Sequence, residues 1–112
     1  MLIAGFVVQG TGTKRLLIRA IGPKLAEFGV TGSLSDPRLD VYDAAGTVLA
    51  SNDDWSATLA TTFTQAAAFA LNSGSKDAAV IVTLPAGASY TAVVSGVNGS
   101  TGEAMIEIYD LQ

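Results

Sequence analysis

The sequence has 112 residues, of which 49% are apolar and 14% charged, and ten acidic against six basic side chains give a net charge of −4. It contains no cysteine and no histidine, which excludes a disulfide framework, a thiolate zinc site, a cysteine nucleophile and a Ser-His-Asp triad. The apolar content excludes intrinsic disorder, and an acidic chain with six cations lacks the clustered Lys and Arg that bind nucleic acid.

The first half of the chain is predicted to contain four strands. Apolar runs at 2–9 and 14–21 flank a Gly-Thr-Gly-Thr loop, a pattern that predicts two strands joined as a hairpin. The segment Pro23–Phe28 is predicted as one helical turn, because proline is favoured at the first helical position and a glycine follows its end. Strands 38–42 and 47–51 enclose Asp-Ala-Ala-Gly, whose Asp and Gly suit the turn of a second hairpin.

The second half is predicted to contain one helix and three strands. Leu59, Phe63 and Leu71 recur at helical spacing within 56–71, and Ser56 is a suitable N-cap. The remaining apolar runs are separated by Gly-containing loops, which predicts strands that follow one another as hairpins. These strands are 78–84, 90–95 and 104–109.

Seven short strands with Gly-rich turns predict an all-β fold class with minor α content. We expect a single domain, 1–112, folded as an antiparallel, jelly-roll-like β-sandwich of about seven to eight strands. One short helix is expected to cover an end of the sandwich. No apolar run approaches the roughly 18 residues that a membrane-spanning helix needs, so no transmembrane segment is predicted.

Two of the predicted strands, 2–8 and 78–84, are apolar on both faces. An antiparallel sandwich normally leaves one face of each sheet in water, so such strands need a second cover. Either a helix or long loop of this chain covers them, or another subunit or a neighbouring domain does. The first strand is the better candidate for pairing with another chain, because exposed edges template strand addition. The predicted assembly interface comprises Leu2, Ile3, Phe6, Val7 and Tyr109.

One charged residue, Arg19, interrupts the apolar run 16–21 of the second strand. Its guanidinium must either extend outward past its neighbours or pair with an acidic side chain. Glu107, on another predicted strand, is the partner that we suggest.

The run DPRLDVYDAAGTVLASNDDW at 36–55 resembles the hairpin of bacterial pre-peptidase C-terminal-type domains. In that family a Tyr-containing strand and a closing strand follow, and 90–96 and 102–109 are similar to them. The opening strand, together with 17–23, resembles a repeat module of large predicted surface proteins of Verrucomicrobia-type bacteria. Both resemblances imply a β-sandwich in an extracellular or cell-surface bacterial protein, and neither supplies a catalytic residue.

Asn52, Asp53 and Asp54 form the densest group of side-chain oxygens. Calcium takes about six to eight oxygen ligands, so these residues, with backbone carbonyls, are the candidate metal site, and calcium is the single cofactor that the sequence suggests. The alternative is that the same side chains make turn and cap hydrogen bonds ahead of the predicted helix.

Two aromatic residues near this group, Trp55 and Tyr42, are candidate ligand-binding residues. Both rings could stack on the sugars of a polysaccharide. A lone Trp after a turn more often fills the end of a core, however, and a tyrosine on a strand is often an ordinary half-buried aromatic.

No pair of carboxylates in the sequence has a reason to hold different pKa values, so general acid–base catalysis has no visible apparatus. The sequence therefore predicts a non-enzymatic extracellular structural module. We expect it to assemble with itself, as a fibre or filament subunit, or to pack in tandem with neighbouring domains. The alternative is a carbohydrate-binding accessory domain of a secreted protein.

Overall fold

Strands dominate the part of the chain that the computed structural model describes, residues 1–111. The strands are β1 (Leu2–Val8), β2 (Thr13–Ile21), β3 (Pro37–Asp43), β4 (Val48–Asn52), β5 (Ala78–Pro85), β6 (Ala88–Gly96) and β7 (Met105–Asp110). The helical segments are 3₁₀ helices at Pro23–Phe28, Ala57–Leu59 and Val97–Gly99 and one α-helix, α1 (Ala60–Gln65). No helix within residues 1–111 has the length and hydropathy needed to cross a membrane.

The strands form a four-stranded sheet of order β1-β6-β3-β4 and a three-stranded sheet of order β5-β2-β7, each antiparallel throughout. Successive residues of a strand point to opposite faces, and alternate residues such as Ile18 of β2, Val41 of β3 and Val94 of β6 are buried in one cluster between the sheets. The predicted antiparallel β-sandwich is confirmed.

Only one of the predicted hairpins is present among these strands, the pair β3–β4. Its turn forms as expected, since the Asp43 carboxylate accepts hydrogen bonds from the amides of Ala45 and Thr47, both at 2.9 Å. The hairpins predicted for β1–β2, β5–β6 and β6–β7 are wrong, because each of these connections crosses from one sheet to the other. Four residues between β1 and β2 are enough to span the roughly 10 Å between packed sheets, and such a loop needs the same flexible residues as a hairpin.

The helix predicted over 56–71 is much shorter in the structure. Ser56 begins the segment as predicted, and its hydroxyl accepts a hydrogen bond from the amide of Thr58. The helix ends early because Ala67 adopts a left-handed conformation with φ of 58°. Its amide bonds to the carbonyl of Thr64, and that of Ala68 bonds to the carbonyl of Phe63, which together form a Schellman C-cap.

Replacing Ala67 by glycine is expected to stabilise the protein by about 0.5–1 kcal/mol, because glycine adopts positive φ without the steric cost that alanine has there. Ala67 is exposed, so little packing is lost. The matched control is Ala60→Gly, an exposed position with right-handed helical geometry, where glycine should destabilise by a similar amount. Urea unfolding of the two variants measures both effects, and a change of the same sign in both would contradict the assignment of the cap.

The segment 53–77, between β4 and β5, covers the outer face of the three-stranded sheet. Leu17 and Ile21 of β2 point toward this face and are fully buried there with Trp55 and Phe63. For the two-faced strand 78–84, the cover is therefore a segment of the chain itself. Within residues 1–111, no segment covers the outer face of β1, where Ile3 and Val7 stay exposed.

Candidate interaction surface

Among the strands of residues 1–111, β1 is an edge strand that pairs on one side, with β6. Ile3 and Val7 lie on its outer face and are 61% and 62% exposed, with Gly5 exposed between them. The free side of an edge strand presents unpaired N–H and C=O groups that can pair with another chain. β1 therefore combines exposed apolar side chains with free backbone hydrogen-bonding capacity.

The other three sheet edges carry features that hinder strand addition. The register of β4 shifts where Leu49 is bulged opposite Val41 and Tyr42, and at its end Asn52 accepts a hydrogen bond from the amide of Ala79 on β5. β5 ends in a proline, and β7 carries two acidic residues. β1 has seven uncharged residues, no proline and an uninterrupted register, so it is the least protected of the described edges.

The sandwich is incompletely filled along the side where β1 and β7 lie. A cavity of about 320 Å³, lined among others by Phe6, Val8 and Ile108, opens between the two edges. A second cavity, of about 270 Å³, lies at the beginning of β1 beside Leu2 and Ala104. Ile108 and Leu2 point toward the space between the sheets and are nevertheless 39% and 38% exposed.

Four of the five residues predicted for an interface lie together on β1. Ile3 and Val7 form its outer face, whereas Leu2 and Phe6 point inward, where the Phe6 ring packs against Tyr90 with centroids 5.7 Å apart. Tyr109 is separate from this group, since it lies on the covered face of the three-stranded sheet and is half-buried in the second apolar cluster.

The suggested pair of Arg19 and Glu107 is confirmed, and the two residues lie directly opposite each other on β2 and β7. The Arg19 side chain is fully buried, Nε donates to Glu107 Oε1 at 2.8 Å, and Nη2 makes an ion-pair contact of 2.6 Å with the same oxygen. Nη1 donates to the carbonyl of Phe69 at 2.7 Å. The rings of Phe69 and Phe63 lie 4.4 and 4.8 Å from the guanidinium carbon, so the pair anchors the covering segment to the sheet.

Tyr109 completes this buried group, because its hydroxyl donates to Glu107 Oε2 at 3.0 Å. Burial raises the pKa of Tyr109 above the usual value of a tyrosine, and the hydrogen bond to Glu107 raises it further. The phenol therefore stays protonated as a hydrogen-bond donor, a structural role beside the guanidinium.

The structure uses Asn52 in the turn that follows β4. Its Nδ2 donates to the carbonyl of Asp54 at 3.0 Å, and its Oδ1 accepts from the amide of Ala79 at 3.2 Å. Both ends of the amide are thus occupied, as the turn alternative expects for this residue. Within residues 1–111, no three acidic, His or Cys side chains come close enough together to hold a metal ion. The fold therefore brings no third carboxylate to Asp53 and Asp54.

Trp55 and Tyr42 lie on opposite sides of the sandwich. Trp55 is 8% exposed, packs against Phe63 with centroids 5.1 Å apart, and donates its ring N–H to the carbonyl of Asn72 at 3.1 Å. Tyr42 is half-buried on the open face of the four-stranded sheet, opposite Val48. The two rings therefore form no common platform for a sugar.

Two important residues were not identified from the sequence, Ile108 and Asp77. Ile108 has the pattern of an ordinary core residue, and its exposure follows from the position of β7 at an edge, which local sequence does not encode. Asp77 is 1% exposed, although an acid before a strand usually lies in solvent. The free amides at the start of the 3₁₀ turn at Pro23–Phe28 need an acceptor, and this need could have pointed to Asp77. The contact joins residues distant in sequence, however, so no local pattern reveals it.

Comparisons of the chain with protein-family models, with curated proteins and with solved structures find no match.

Proposed function

We propose that this chain is a non-enzymatic structural module of an extracellular or cell-surface bacterial protein, and that it assembles with further copies of itself through β1. In a protein with several such modules, the neighbouring module is the further copy. The observation that carries the proposal is the bare edge of β1, with Ile3 and Val7 exposed on it. Strand addition satisfies the free backbone groups and buries these side chains in one step.

The extracellular location is supported by the resemblance of the β3–β4 hairpin to pre-peptidase C-terminal-type domains and of the opening strands to surface-protein repeats. The burial of Trp55 removes the main ring on which the carbohydrate-binding alternative depended.

A double variant, Ile3→Lys with Val7→Lys, is expected to weaken self-association strongly. Each lysine adds a charge to an exposed edge position, and charged side chains on an edge oppose strand pairing. Sedimentation analysis over a wide concentration range should show the mass of the natural chain rising above the 11.4 kDa monomer, with at least about tenfold weaker association in the variant.

The matched control is Val48→Lys with Leu49→Lys on β4, the opposite edge of the same sheet, where the side chains are 50% and 42% exposed. This variant should associate as the natural chain does. A natural chain that stays monomeric at every concentration would overturn the proposal, and so would equal weakening by both variants. Circular dichroism confirms that each variant keeps the β-fold.

A further inference from the structure

We infer that two copies of this chain pair antiparallel along β1, about a two-fold axis that passes through Gly5. The inference deepens the proposed function and rests on it, since it names the register and symmetry of the contact. Antiparallel pairing of β1 with its copy joins the two four-stranded sheets into one continuous sheet of eight strands. Both copies use the same surface, which is the arrangement of a closed two-fold dimer.

The alternation of side chains restricts the register. Residues directly opposite each other in an antiparallel pair lie on the same face of the sheet, so outward residues must face outward residues. Centring the pair on Gly5, the middle of Leu2–Val8, keeps the faces matched and gives the longest overlap, seven residues from each copy.

The side chains are self-complementary in this register. Ile3 lies opposite Val7 of the second copy on the outer face, which buries the two most exposed side chains within the strand against each other. On the inner face, the small Ala4 lies opposite the large Phe6. Gly5 meets Gly5 at the axis, where no side chains crowd the two backbones.

Charge favours this pairing over other edge-to-edge contacts between copies. β1 has no charged residue, so two copies meet without repulsion. β7 carries the charged side chains of Glu107 and Asp110, and charged residues on an edge strand hinder the addition of a further strand. Pairing through β4 would have to accommodate the bulge at Leu49.

The two cavities beside β1 lie where this register would place apolar side chains of the second copy. Leu2 of the second copy lies opposite Val8, and both point to the inner side, where the cavity of about 320 Å³ is lined by Val8 and Ile108. By symmetry, Val8 of the second copy lies beside Leu2 at the cavity of about 270 Å³. One added strand is a small interface, below roughly 1,200 Å² in total, so we expect a dimer that dissociates at micromolar concentration.

The absence of cysteine makes a disulfide test direct. Ile3→Cys and Val7→Cys chains, one carrying a mass tag, are mixed and mildly oxidised. In the inferred register, unlike positions face each other at about 5 Å between Cβ atoms, whereas like positions are about 14 Å apart, beyond the reach of a disulfide. We expect the mixed dimer to form at least about tenfold faster than either homodimer. A mixture of Ile3→Cys with Val48→Cys chains is the control and should not cross-link.

The outcomes separate this inference from the proposed function. Cross-linking of like positions at the same rate as unlike ones would overturn the register, as would cross-linking to Val48→Cys. If the natural chain associates in sedimentation but the Ile3→Cys and Val7→Cys mixture gives no cross-link, the two-fold pairing is wrong and self-assembly stands. A monomeric natural chain overturns both.

Discussion

Replacing Glu107 by glutamine is expected to lower the free energy of unfolding by about 3 kcal/mol. Glutamine keeps the size and an acceptor oxygen but removes the charge, which leaves the fully buried guanidinium of Arg19 without a counter-ion. The remaining partners of Arg19, the carbonyl of Phe69 and the flanking rings, do not replace a carboxylate. Removing one member of a buried ion pair is costly because the other stays desolvated and unpaired.

Urea unfolding followed by the fluorescence of Trp55, the single tryptophan, measures this loss. Glu103→Gln is the matched control, because Glu103 is exposed and should change stability by no more than about 0.5 kcal/mol. A second variant replaces both charges, Arg19→Met with Glu107→Leu, and is expected to recover most of the loss, since apolar residues of similar volume substitute well for a buried pair. A double variant less stable than Glu107→Gln would contradict this expectation, because it would show that the charged pair stabilises the fold more than apolar residues of similar volume do.

Replacing Asp77 by alanine is expected to cost about 2–4 kcal/mol of unfolding free energy. Its Oδ1 accepts hydrogen bonds from the amides of Gly22 at 2.8 Å and Lys24 at 3.2 Å, and its Oδ2 accepts from the Ser75 hydroxyl at 2.8 Å. The carboxylate thus satisfies amides at the start of the 3₁₀ turn at Pro23–Phe28, whose own N-cap residue offers no side chain. Alanine leaves the buried Gly22 amide and the part-buried Lys24 amide without this acceptor.

Asp77→Asn retains one acceptor oxygen and should lose about half as much stability. Asp54→Ala, at an exposed acid near the start of the covering segment, is the control and should stay within about 0.5 kcal/mol of the natural chain. Hydrogen exchange supplies a second readout, since the amide of Gly22 should lose protection in Asp77→Ala. Unchanged stability with a protected Gly22 amide would contradict the capping role.

The sequence predicted those features that depend on local chemistry. The β3–β4 hairpin follows from Asp43 and Gly46, which make the turn through contacts four residues apart or fewer. The pairing of Arg19 with Glu107 could be predicted because a charged residue within an apolar strand requires a partner, and few acidic residues lie on the predicted strands.

Strand partners were less predictable because a crossing loop and a hairpin loop share the same flexible residues. β1 pairs with β6, about ninety residues away, and no local pattern distinguishes that partner from β2. The early end of α1 at Ala67 escaped prediction because alanine normally favours the helix.

The covering segment 53–77 is a part of the fold that can unfold locally, and it is separate from the β1 edge. The segment has little regular structure, a 3₁₀ turn and six residues of α-helix. Its polar attachment to the rest of the fold depends on a few groups, chiefly Arg19 with Phe69 and the Asp77 carboxylate with the Gly22 amide. Local unfolding of such a segment requires less free energy than unfolding the sandwich, and it would uncover Leu17 and Ile21. Non-native association on warming should therefore begin on the three-stranded sheet. Stabilising the covering segment should suppress this aggregation without affecting the pairing proposed for β1.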